Sequence, residues 1–454
     1  MEQRSQITIL GTGYVGLTTA ALTAMAGMKT YVVDPNPRRL ESVRAGRSFF
    51  YEEGLDALVA EAVHTGMLIP TDSYAEAVPE SDIVISSVGT PDNPDGSSNL
   101  TYVFAAAKEA AQYLKPSAVY VQKSTVPVGT GAKVQQAFTE AGVSNAYVSN
   151  PEFLREGTAL FDSLWFDRIV VGGNHTEALE RVMDMYRNIE QQRDTIARTA
   201  SLTPPARIQK GAYISVSLES AELIKVTANA FLALKISFAN SIARLSDKVG
   251  ADVVEVMSAV GADQRIGRAF LNASRGYGGG CFPKDVSGLI AAGLEQGVEL
   301  EIMQAAQAVN ASMPGYILEK LQLALGGTLQ GKSIAVLGLS FKAGTSDARR
   351  SPGIAMANLL TEAGATVHAY DPKAREEAEH LLHDAVTFLE DAGQALHGVE
   401  AVIVATDWPE FVDMDLVATA AQLQGARVLV DAMNRFSSDA VRAAGMQYIG
   451  VGRA

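Results

Sequence analysis

Residues 7–16 read Ile-Thr-Ile-Leu-Gly-Thr-Gly-Tyr-Val-Gly, and an Ala- and Leu-rich stretch to Met28 follows them. A second apolar run over residues 30–33 ends at Asp34. An apolar run, a Gly-x-Gly-x-x-Gly turn and a helical stretch are typical of the βαβ unit that binds a dinucleotide. We therefore predict a strand over residues 7–10, a helix that opens at the glycine turn, and a second strand over residues 30–33.

The three glycines of this turn, Gly11, Gly13 and Gly16, have different roles. The first permits the tight turn, the second lets the backbone approach a pyrophosphate, and the third lets helix and strand pack closely. N–H groups at the helix N-terminus bind the phosphates. A carboxylate after the second strand binds ribose hydroxyls and repels a 2′-phosphate, so Asp34 predicts NAD rather than NADP. The alternative is a structural glycine turn with a solvated aspartate.

The rest of the first half continues this pattern, with predicted strands over residues 83–88, 119–122, 146–149 and 169–171. Strands that alternate with helices predict a parallel sheet. Residues 193–217 break the pattern, because Thr203-Pro-Pro205 and Lys210-Gly211 indicate a loop or linker. A helical pattern from about Leu218 to Val249 then predicts a helix roughly 45 Å long that bridges domains.

A second strand–turn–helix pattern begins after Gly331, with predicted strands over residues 333–337, 366–370, 402–405 and 428–430. Asp371-Pro372 repeats Asp34-Pro35 of the first half. The predicted fold is therefore α/β, with two Rossmann-like doubly wound lobes joined by a long central helix and a small helical domain.

The turn of the second lobe, Gly338-Leu-Ser-Phe-Lys-Ala-Gly344, has no second glycine at the required spacing. We therefore predict a different phosphate ligand there, with Lys342 as a donor. A solvated surface lysine is the alternative, and this segment alone favours it.

The formal net charge of −14 argues against nucleic-acid binding, which requires a basic surface. A phosphate-bearing ligand must then be held by local donors. No uninterrupted apolar run reaches the ~20 residues that span a bilayer, and the first residues lack a signal-peptide pattern. We expect a cytoplasmic protein without a membrane partner.

The chain's single cysteine excludes an intrachain disulfide and a multi-cysteine metal site, and we predict no metal. A lone cysteine is ordinarily a small buried hydrophobe. This one lies in Gly276-Tyr-Gly-Gly-Gly-Cys281-Phe-Pro-Lys284-Asp285, where glycines let the backbone wrap around a ligand. Lys284 favours a thiolate, and Asp285 can act as a base or orient one. The segment indicates a reactive cysteine.

Lys225 and Asn229 lie at i and i+4 of the predicted long helix, so they share a face. An ammonium and an amide side by side can stabilise a developing oxyanion. Spacing alone favours the alternative, a solvated polar stripe.

Along nearly its whole length the chain resembles the UDP-glucose/GDP-mannose dehydrogenase family. The stretches that carry the resemblance lie at residues 11–17, 123–130, 150–156, 167–168, 221–225, 229–231, 276–285, 341–342, 349 and 370–372. Within the family, Cys281 followed by Phe282 is similar to the UDP-glucose branch, whereas the GDP-mannose branch tends to have Leu there.

The resemblance implies an NAD-dependent enzyme that oxidises a sugar nucleotide. Two successive hydride transfers to NAD would pass through a thiohemiacetal and a thioester on Cys281. Covalent capture matters because an aldehyde has no hydroxyl to deprotonate. Lys225 would stabilise the oxyanion, Asn229 and Asp285 would position the base or water, and Glu152 and Thr125 would assist hydrolysis of the thioester.

The resemblance also implies binding residues. The NAD site would be lined by Gly11, Gly13, Val15, Gly16, Asp34, Arg39, Thr90, Thr125, Glu156, Lys284 and Arg349. The UDP-sugar would contact Glu152, Phe153, Leu154, Arg155, Lys225, Asn229, Arg268, Phe270, Leu271, Asn272, Ala273, Ser274, Gly278, Phe341 and Lys342. Arg268 resembles an arginine contributed across a dimer interface, with Arg265 as the competitor.

Two departures from the family pattern are the longer connection over residues 193–217 and Asp431-Ala-Met-Asn-Arg435 where the family has Asp-Gly-Arg-Asn. Arg435 is the candidate to replace the missing arginine. The domains expected are an NAD-binding domain (residues 1–202), a linker or insertion (203–217), a central helical dimerisation domain with the cysteine loop (218–315) and a UDP-sugar-binding domain (316–454).

Three alternatives stay open at this point. The same chemistry can act on another sugar nucleotide, such as GDP-mannose or a UDP-hexosamine. A two-electron hydroxyacid dehydrogenase shares the first lobe and a lysine on a central helix, but it has no need of Cys281. A non-enzymatic NAD-binding regulator predicts no turnover. The partners expected are a small-molecule UDP-sugar and a second copy of the chain.

Overall fold

The computed structural model of the protein describes residues 5–208 and 210–453. The chain divides into two compact units, Met1–Thr227 and Ala228–Ala454. The division falls within one long helix, Leu218–Val249, whose bounds agree with the sequence prediction. The finer division into four segments stays a prediction.

The first unit is built on one sheet whose strands are connected mainly by helices. The strands are β1 (Ile7–Leu10), β2 (Thr30–Val33), β3 (Leu68–Thr71), β4 (Ile83–Ser86), β5 (Val119–Gln122), β6 (Ala146–Ser149), β7 (Arg168–Gly172) and β8 (Ala212–Val216). The helices are α1 (Tyr14–Met25), α2 (Pro37–Arg44), α3 (Leu55–His64), α4 (Tyr74–Ala77), α5 (Thr101–Ala111), α6 (Thr130–Glu140), α7 (Ala159–Leu164), α8 (Thr176–Gln191) and α9 (Arg193–Thr199), and α10 (Leu218–Val249) begins here.

The strand order in this sheet is β3-β2-β1-β4-β5-β6-β7-β8. The chain builds outward from β1 on one side and from β4 on the other, which is the doubly wound arrangement. The strands pair in parallel except β6 and β7, which are antiparallel with Ser149 opposite Gly172. The switch point between β1 and β4 is where such sheets bind ligands.

The apolar character of β1 has a direct structural reason, because successive side chains point to opposite faces of the sheet. Ile7 and Ile9 pack in one apolar cluster, whereas Leu10 packs in another on the opposite face. Both faces are therefore covered, as expected for a parallel sheet with helices on both sides.

The second unit repeats this architecture after a set of helices. It contains the rest of α10, then α11 (Val253–Gly261), α12 (Phe282–Glu295), α13 (Glu301–Ala324), α14 (Pro352–Glu362), α15 (Arg375–Ala378), α16 (Ala392–Leu396), α17 (Pro409–Val412), α18 (Leu416–Gln422) and α19 (Ser438–Ala443). Its strands are β9 (Ser333–Leu337), β10 (Thr366–Tyr370), β11 (Thr387–Phe388), β12 (Ala401–Val404), β13 (Val428–Asp431) and β14 (Gln447–Gly450).

These six strands form a parallel sheet in the order β11-β10-β9-β12-β13-β14. Ile334 and Val336 of β9 pack on one face, and Ala335 and Leu337 pack on the other. The predicted class, two Rossmann-like lobes with a long helix and further helices, is confirmed. The predicted strands were found, with ends that differ by up to two residues.

The prediction of a loop or linker over residues 193–217 was wrong in part. This segment contains α9 and β8, and β8 pairs in parallel with β7 as the edge of the first sheet. Strands β3, β11 and β14 were not predicted either. All four are edge strands, and β3 contains Pro70, which breaks the strand pattern but is tolerated at a sheet edge.

Helix α10 has an 18-residue window of mean hydropathy 1.2, and 44% of this window is buried. Among the described residues it is the one helix that length and composition would allow to cross a membrane. This is weak evidence, because long core helices of globular proteins pass the same test.

Candidate functional site

In the turn between β1 and α1, steric contacts explain why two of the three positions must be glycine. A Cβ on Gly16 would lie 2.0 Å from the carbonyl oxygen of Gly11, so no side chain fits between strand and helix. Gly11 has a φ of +93°, and its Cβ would lie 3.0 Å from the carbonyl oxygen of Ser87. A Cβ on Gly13 would meet no described atom within 4 Å. The glycine at position 13 leaves open space at the N-terminus of α1, where a pyrophosphate can approach.

Asp34 lies at the end of β2 and is 3% exposed. Its Oδ2 accepts hydrogen bonds from the backbone N–H of Thr12 at 2.8 Å and from the Thr12 hydroxyl at 2.5 Å. Its Oδ1 accepts the N–H of Asn36 at 2.9 Å, and Nη1 of Arg39 lies 3.7 Å from Oδ2. The interpretation of Asp34 as a solvated aspartate is therefore wrong, because this carboxylate fixes the glycine turn. Its role towards a ribose stays a prediction.

The other residues predicted for the cofactor in this unit lie in loops at the carboxyl ends of parallel strands. Val15 is in the first turn of α1, Thr90 follows β4, Thr125 follows β5, and Glu156 follows β6. All four are half-buried. Because carboxyl ends of parallel strands meet at one edge, these residues belong to the edge where the glycine turn lies. Arg39 stacks on the ring of Phe49 at 4.7 Å.

A buried ion pair lies at the same edge of this sheet. Nζ of Lys225, on α10, is 3.0 Å from Oε1 of Glu152, and both side chains are almost fully buried. Oε2 of Glu152 accepts the backbone N–H of Leu154 at 2.5 Å. The Lys225 ammonium also lies 5.5 Å from the centre of the Phe153 ring. The interpretation of Lys225 as part of a solvated stripe is wrong.

The charges around Glu152 favour its ionised form. Burial alone raises the pKa of a carboxyl, but the Lys225 ammonium, the Leu154 N–H and the more distant Lys123 bring the pKa of Glu152 below its ordinary value. Glu152 is thus held as a carboxylate beside a lysine. Arg155, also predicted to touch substrate, is exposed and forms a two-point ion pair with Asp162.

In the second unit Cys281 is the N-cap residue of α12 and is half-buried. The partial positive charge at a helix N-terminus favours a thiolate at this position. Oδ2 of Asp285 accepts the side-chain amide of Asn229 at 2.6 Å, and Oδ1 accepts Nζ of Lys284 at 2.6 Å. Asn229 and Asp285 are buried, so the interpretation of Asn229 as a solvated residue is also wrong.

The glycines before Cys281 are explained by contacts with the segment between β9 and α14. A Cβ on Gly278 would lie 2.4 Å from the carbonyl oxygen of Arg350, and one on Gly279 would lie 2.8 Å from the ring of Phe341. A Cβ on Gly280 would lie 2.5 Å from the guanidinium of Arg349. The backbone of the cysteine loop therefore packs directly against this segment.

The connection between β9 and α14 begins and ends like the glycine turn after β1, but it is longer. Gly338 has a φ of +104°, and a Cβ on Gly353 would lie 2.2 Å from its carbonyl oxygen, as for Gly16 and Gly11. Oδ2 of Asp371 accepts the N–H groups of Leu339 and Ser340 at 2.8 and 2.9 Å. The sequence prediction missed the partner glycine because it is displaced to Gly353, in the first turn of α14.

A cavity of about 600 Å³ lies within the second unit. It is lined by nine residues that were predicted to contact substrate: Arg268, Phe270, Leu271, Asn272, Ala273, Ser274, Gly278, Phe341 and Lys342. Arg435, the candidate for the missing arginine, also lines it. Despite the acidic composition of the chain, three cationic side chains therefore surround this cavity.

Sequence reasoning missed Asp407 and Tyr277, which line the same cavity. Asp407 pairs with Arg435, whose Nε lies 3.0 Å from its Oδ2. The signal that could have found Asp407 is its position just after β12, at the carboxyl edge of the second sheet.

The predicted arginines of this unit make contacts within their own segments. Nη1 of Arg268 donates to the carbonyl of Leu271 and to Oδ1 of Asn272, both at 2.6 Å. Arg349 pairs with Asp347 at 2.6 Å, and the exposed Arg265 pairs with Asp263 at 2.5 Å. The structure places Arg268 at the cavity and Arg265 outside its lining.

Comparison with known proteins gives one consistent result. Three domain models of the UDP-glucose/GDP-mannose dehydrogenase family match the chain: the NAD binding domain at residues 5–190, the central domain at 219–312 and the UDP binding domain at 335–438. UDP-glucose 6-dehydrogenase TuaD of Bacillus subtilis is 39% identical over 451 residues, which cover 99% of this chain and 93% of that protein.

A second relative and a solved structure are equally similar over the full length. The UDP-glucose 6-dehydrogenase of Rhizobium meliloti is 38% identical over 453 residues, 99% of each chain. The structure of a UDP-glucose dehydrogenase from the archaeon Pyrobaculum islandicum has a TM-score of 0.88 and 38% identity, and covers 99% of this chain and 98% of that one.

Proposed function

This chain belongs to the UDP-glucose/GDP-mannose dehydrogenase family, and we propose on that premise that it oxidises UDP-glucose to UDP-glucuronate. It is an NAD-dependent oxidoreductase that acts on a CH–OH group. The observation that carries the substrate proposal is full-length similarity to UDP-glucose 6-dehydrogenases, together with a cavity lined by the cationic side chains Lys342, Arg268 and Arg435. A nucleoside diphosphate has the charge that these side chains recognise.

The open face of Gly13, the N-terminus of α1 and the carboxylate of Asp34 fit an NAD molecule. When bound, NAD would accept a hydride in each of two oxidation steps. The residues proposed to hold NAD are those that the sequence predicted for the NAD site; Lys284 and Arg349 of this set lie in the second unit. Because Nζ of Lys284 donates to Asp285, we expect its charge to act first on the Asp285 carboxylate.

We assign the covalent step to Cys281. Its thiolate would add to the C6 aldehyde, and the resulting thiohemiacetal would lose a second hydride to become a thioester. Water would then cleave the carbon–sulfur bond, which releases the carboxylate and restores the thiol. The position of Cys281 at the N-terminus of α12, beside glycines without side chains, supports this role.

The remaining roles are proposed residue by residue. Lys225, buried and paired with Glu152, would stabilise an oxyanion, and Glu152 would activate or orient water in hydrolysis. Asp285, held between Asn229 and Lys284, would act as the base or position it. Thr125 would hold the catalytic water.

A homodimer or higher homo-oligomer is also proposed. Helix α10 exposes Leu223, Phe231, Phe238, Leu245 and Val249, each more than 40% exposed, at intervals of eight, seven, seven and four residues. This spacing is close to a helical repeat, so these side chains form an apolar stripe that a second copy could cover. Light scattering of the purified protein would measure its mass. We further propose a cytoplasmic location.

The substrate proposal is tested by assaying NADH formation with UDP-glucose, UDP-N-acetylhexosamines, UDP-galactose and GDP-mannose. The expected result is turnover with UDP-glucose at an efficiency at least about tenfold above the other sugars. Comparable or higher efficiency with a hexosamine or GDP-mannose would reject the substrate and keep the enzyme class. Formation of one NADH per sugar, with free aldehyde, would reject the thioester step.

A further inference from the structure

Arg275, the residue before the glycine loop, is a fully buried arginine outside the predicted site. It is 1% exposed and has the largest of the fully buried side chains in the described part of the chain. It does not line the cavity, but its sequence neighbours Ser274 and Gly276 do. A buried guanidinium this close to a binding cavity needs a physical explanation, because burial of charge is costly.

The contacts of Arg275 connect segments from three strands of the second sheet. Its Nη2 donates to the carbonyl of Phe341 at 2.8 Å and to the hydroxyl of Thr406 at 3.2 Å. Its backbone N–H donates to the carbonyl of Ala432 at 2.8 Å. These three partners follow β9, β12 and β13, and the segments they belong to bring Lys342, Asp407 and Arg435 to the cavity.

Stability does not account for this charge. Among the described residues, Nε and Nη1 of Arg275 have no hydrogen-bond partner. Burial lowers the pKa of Arg275 to about 10, although Asp407 and Asp371 act to raise it. The group therefore stays charged at neutral pH, and the cost of burying it offsets what its two Nη2 hydrogen bonds contribute to stability.

The position of the charge points to an effect on ligand binding. Asp407 places a carboxylate on the cavity wall, which repels a diphosphate. Arg275 lies behind that wall and attracts the same carboxylate, as Arg435 does from the cavity side. Removal of the guanidinium would leave the wall more acidic and would release the carbonyl of Phe341, next to Lys342.

We propose that Arg275 is a positioning residue for the diphosphate of the substrate. It fixes the Phe341–Lys342 and Thr406–Asp407 segments and offsets the charge of Asp407, so nucleotide affinity depends on it without direct contact. The inference rests on the proposed function insofar as the cavity binds a nucleoside diphosphate.

The test compares Arg275→Met and Arg275→Lys with Arg442→Met, which removes the same charge from an exposed position in the same unit. Calorimetry would give the dissociation constants of UDP, GDP and uridine, and thermal unfolding would be followed with and without UDP. For Arg275→Met the expected result is about tenfold weaker UDP binding. Uridine affinity, kcat and the unfolding temperature of the free protein should change little, while KM for UDP-glucose rises with the dissociation constant of UDP.

Arg275→Lys keeps the charge but loses the planar fork, so we expect intermediate UDP affinity. Arg442→Met should behave like the wild type. Unchanged UDP affinity in Arg275→Met, or equal losses for UDP and uridine, would overturn the proposal. If the Met variant does not fold, wild-type UDP affinity in Arg275→Lys with a lowered unfolding temperature would show a purely structural role.

These outcomes separate the two proposals. Calorimetry needs no turnover, so the effect of Arg275 is measurable even if UDP-glucose is not the substrate. A wild-type protein that binds GDP but not UDP would reject the substrate proposal and leave the Arg275 comparison to be made with GDP. A wild-type protein that binds neither nucleotide would overturn both.

Discussion

Lys225 Nζ lies 3.0 Å from Glu152 Oε1, and both side chains are buried. The ion pair fixes the position of the lysine side chain, which is what an oxyanion stabiliser requires. We expect Lys225→Ala to lower kcat by about 10²–10³ with a much smaller effect on KM. Steady-state kinetics would measure both. Lys248→Ala, an exposed lysine on the same helix, is the control and should leave kcat unchanged.

The Lys225–Glu152 pair also leads to a prediction about pH. The pKa of Glu152 is lower in the folded protein than in the unfolded chain. Its contribution to stability is therefore complete above the unfolded pKa and is lost as pH falls through the folded pKa. Without the Lys225 ammonium, burial would dominate and the acid limb of the kcat profile would move to higher pH. Near-normal turnover with an unshifted profile would show that Lys225 is only structural.

Asp34 leads to a prediction about cofactor choice. Its carboxylate is fixed by Thr12 at the edge of the glycine turn, where a 2′-phosphate would face a buried negative charge. We expect kcat/KM with NAD to exceed that with NADP by about a hundredfold, since juxtaposed like charges cost several kcal/mol. Kinetics with both cofactors would test this, and equal efficiency would exclude Asp34 as the selecting residue.

The fold and much of the candidate site were predictable from local patterns. The β1 run, the glycine turn and Asp34 are contiguous signals, and the long helix has an uninterrupted helical pattern. Edge strand β8 was missed because its apolar run, Ala212–Ile214, is short and follows Pro-Pro and Lys-Gly pairs that indicate a loop. The matching turn of the second lobe was missed because Gly353 is fifteen positions from Gly338, and only the folded chain brings them together.

Burial was the other property that sequence could not supply. Spacing places Lys225 and Asn229 on one helical face, but whether that face is solvated depends on distant partners, Glu152 and Asp285. The burial of Arg275 was not predicted for the same reason, since its partners Phe341 and Thr406 are far along the chain.

Glu222 gives a prediction about stability and pH. Its carboxylate accepts the N–H groups of Gly129 and Gly131 at 2.7 and 2.8 Å, beside the start of α6. Burial raises its pKa to about 7, although the two N–H groups act to lower it. A raised carboxyl pKa means that the folded state binds more protons, so stability falls as pH rises from about 4.5 to 7.

The loss expected from this group is roughly 3 kcal/mol across that interval. Glu222→Gln should flatten the pH dependence of the free energy of unfolding between pH 5 and 8, measured by urea denaturation. Glu61→Gln, an exposed acid on α3 of the same unit, should keep the wild-type slope. Identical slopes in all three proteins would mean that Glu222 titrates near its ordinary pKa.

Gly278 and Gly280 of the cysteine loop are predicted to differ in how well they tolerate a side chain. The Cβ of Gly278→Ala would meet a backbone carbonyl, that of Arg350 at 2.4 Å, which cannot move without displacing the chain. The Cβ of Gly280→Ala would meet the Arg349 guanidinium, the end of a flexible side chain. We expect Gly278→Ala to destabilise by about 1–3 kcal/mol and Gly280→Ala by less, measured by denaturation.

Gly315→Ala in α13 is the control, because a Cβ there would meet no described atom within 4 Å and alanine favours helix. It should be neutral or slightly stabilising. Equal stability of Gly278→Ala and the control would contradict the close packing of the loop against residues 339–351.

The last prediction concerns the stoichiometry of the reaction and the single cysteine. If Cys281 forms a thioester, the wild-type enzyme should reduce two NAD per UDP-glucose and release only the acid.

Cys281→Ala lacks the nucleophile but keeps the backbone of α12, so UDP-glucose and NAD should still bind while uronate formation is lost. Cys281→Ser should accumulate a covalent ester visible in the intact mass, since an ester hydrolyses more slowly than a thioester. The measurements are NADH formed per sugar consumed and the identity of the product. Full uronate synthesis by Cys281→Ala would show that oxidation proceeds without covalent capture and that another residue activates the hydrated aldehyde.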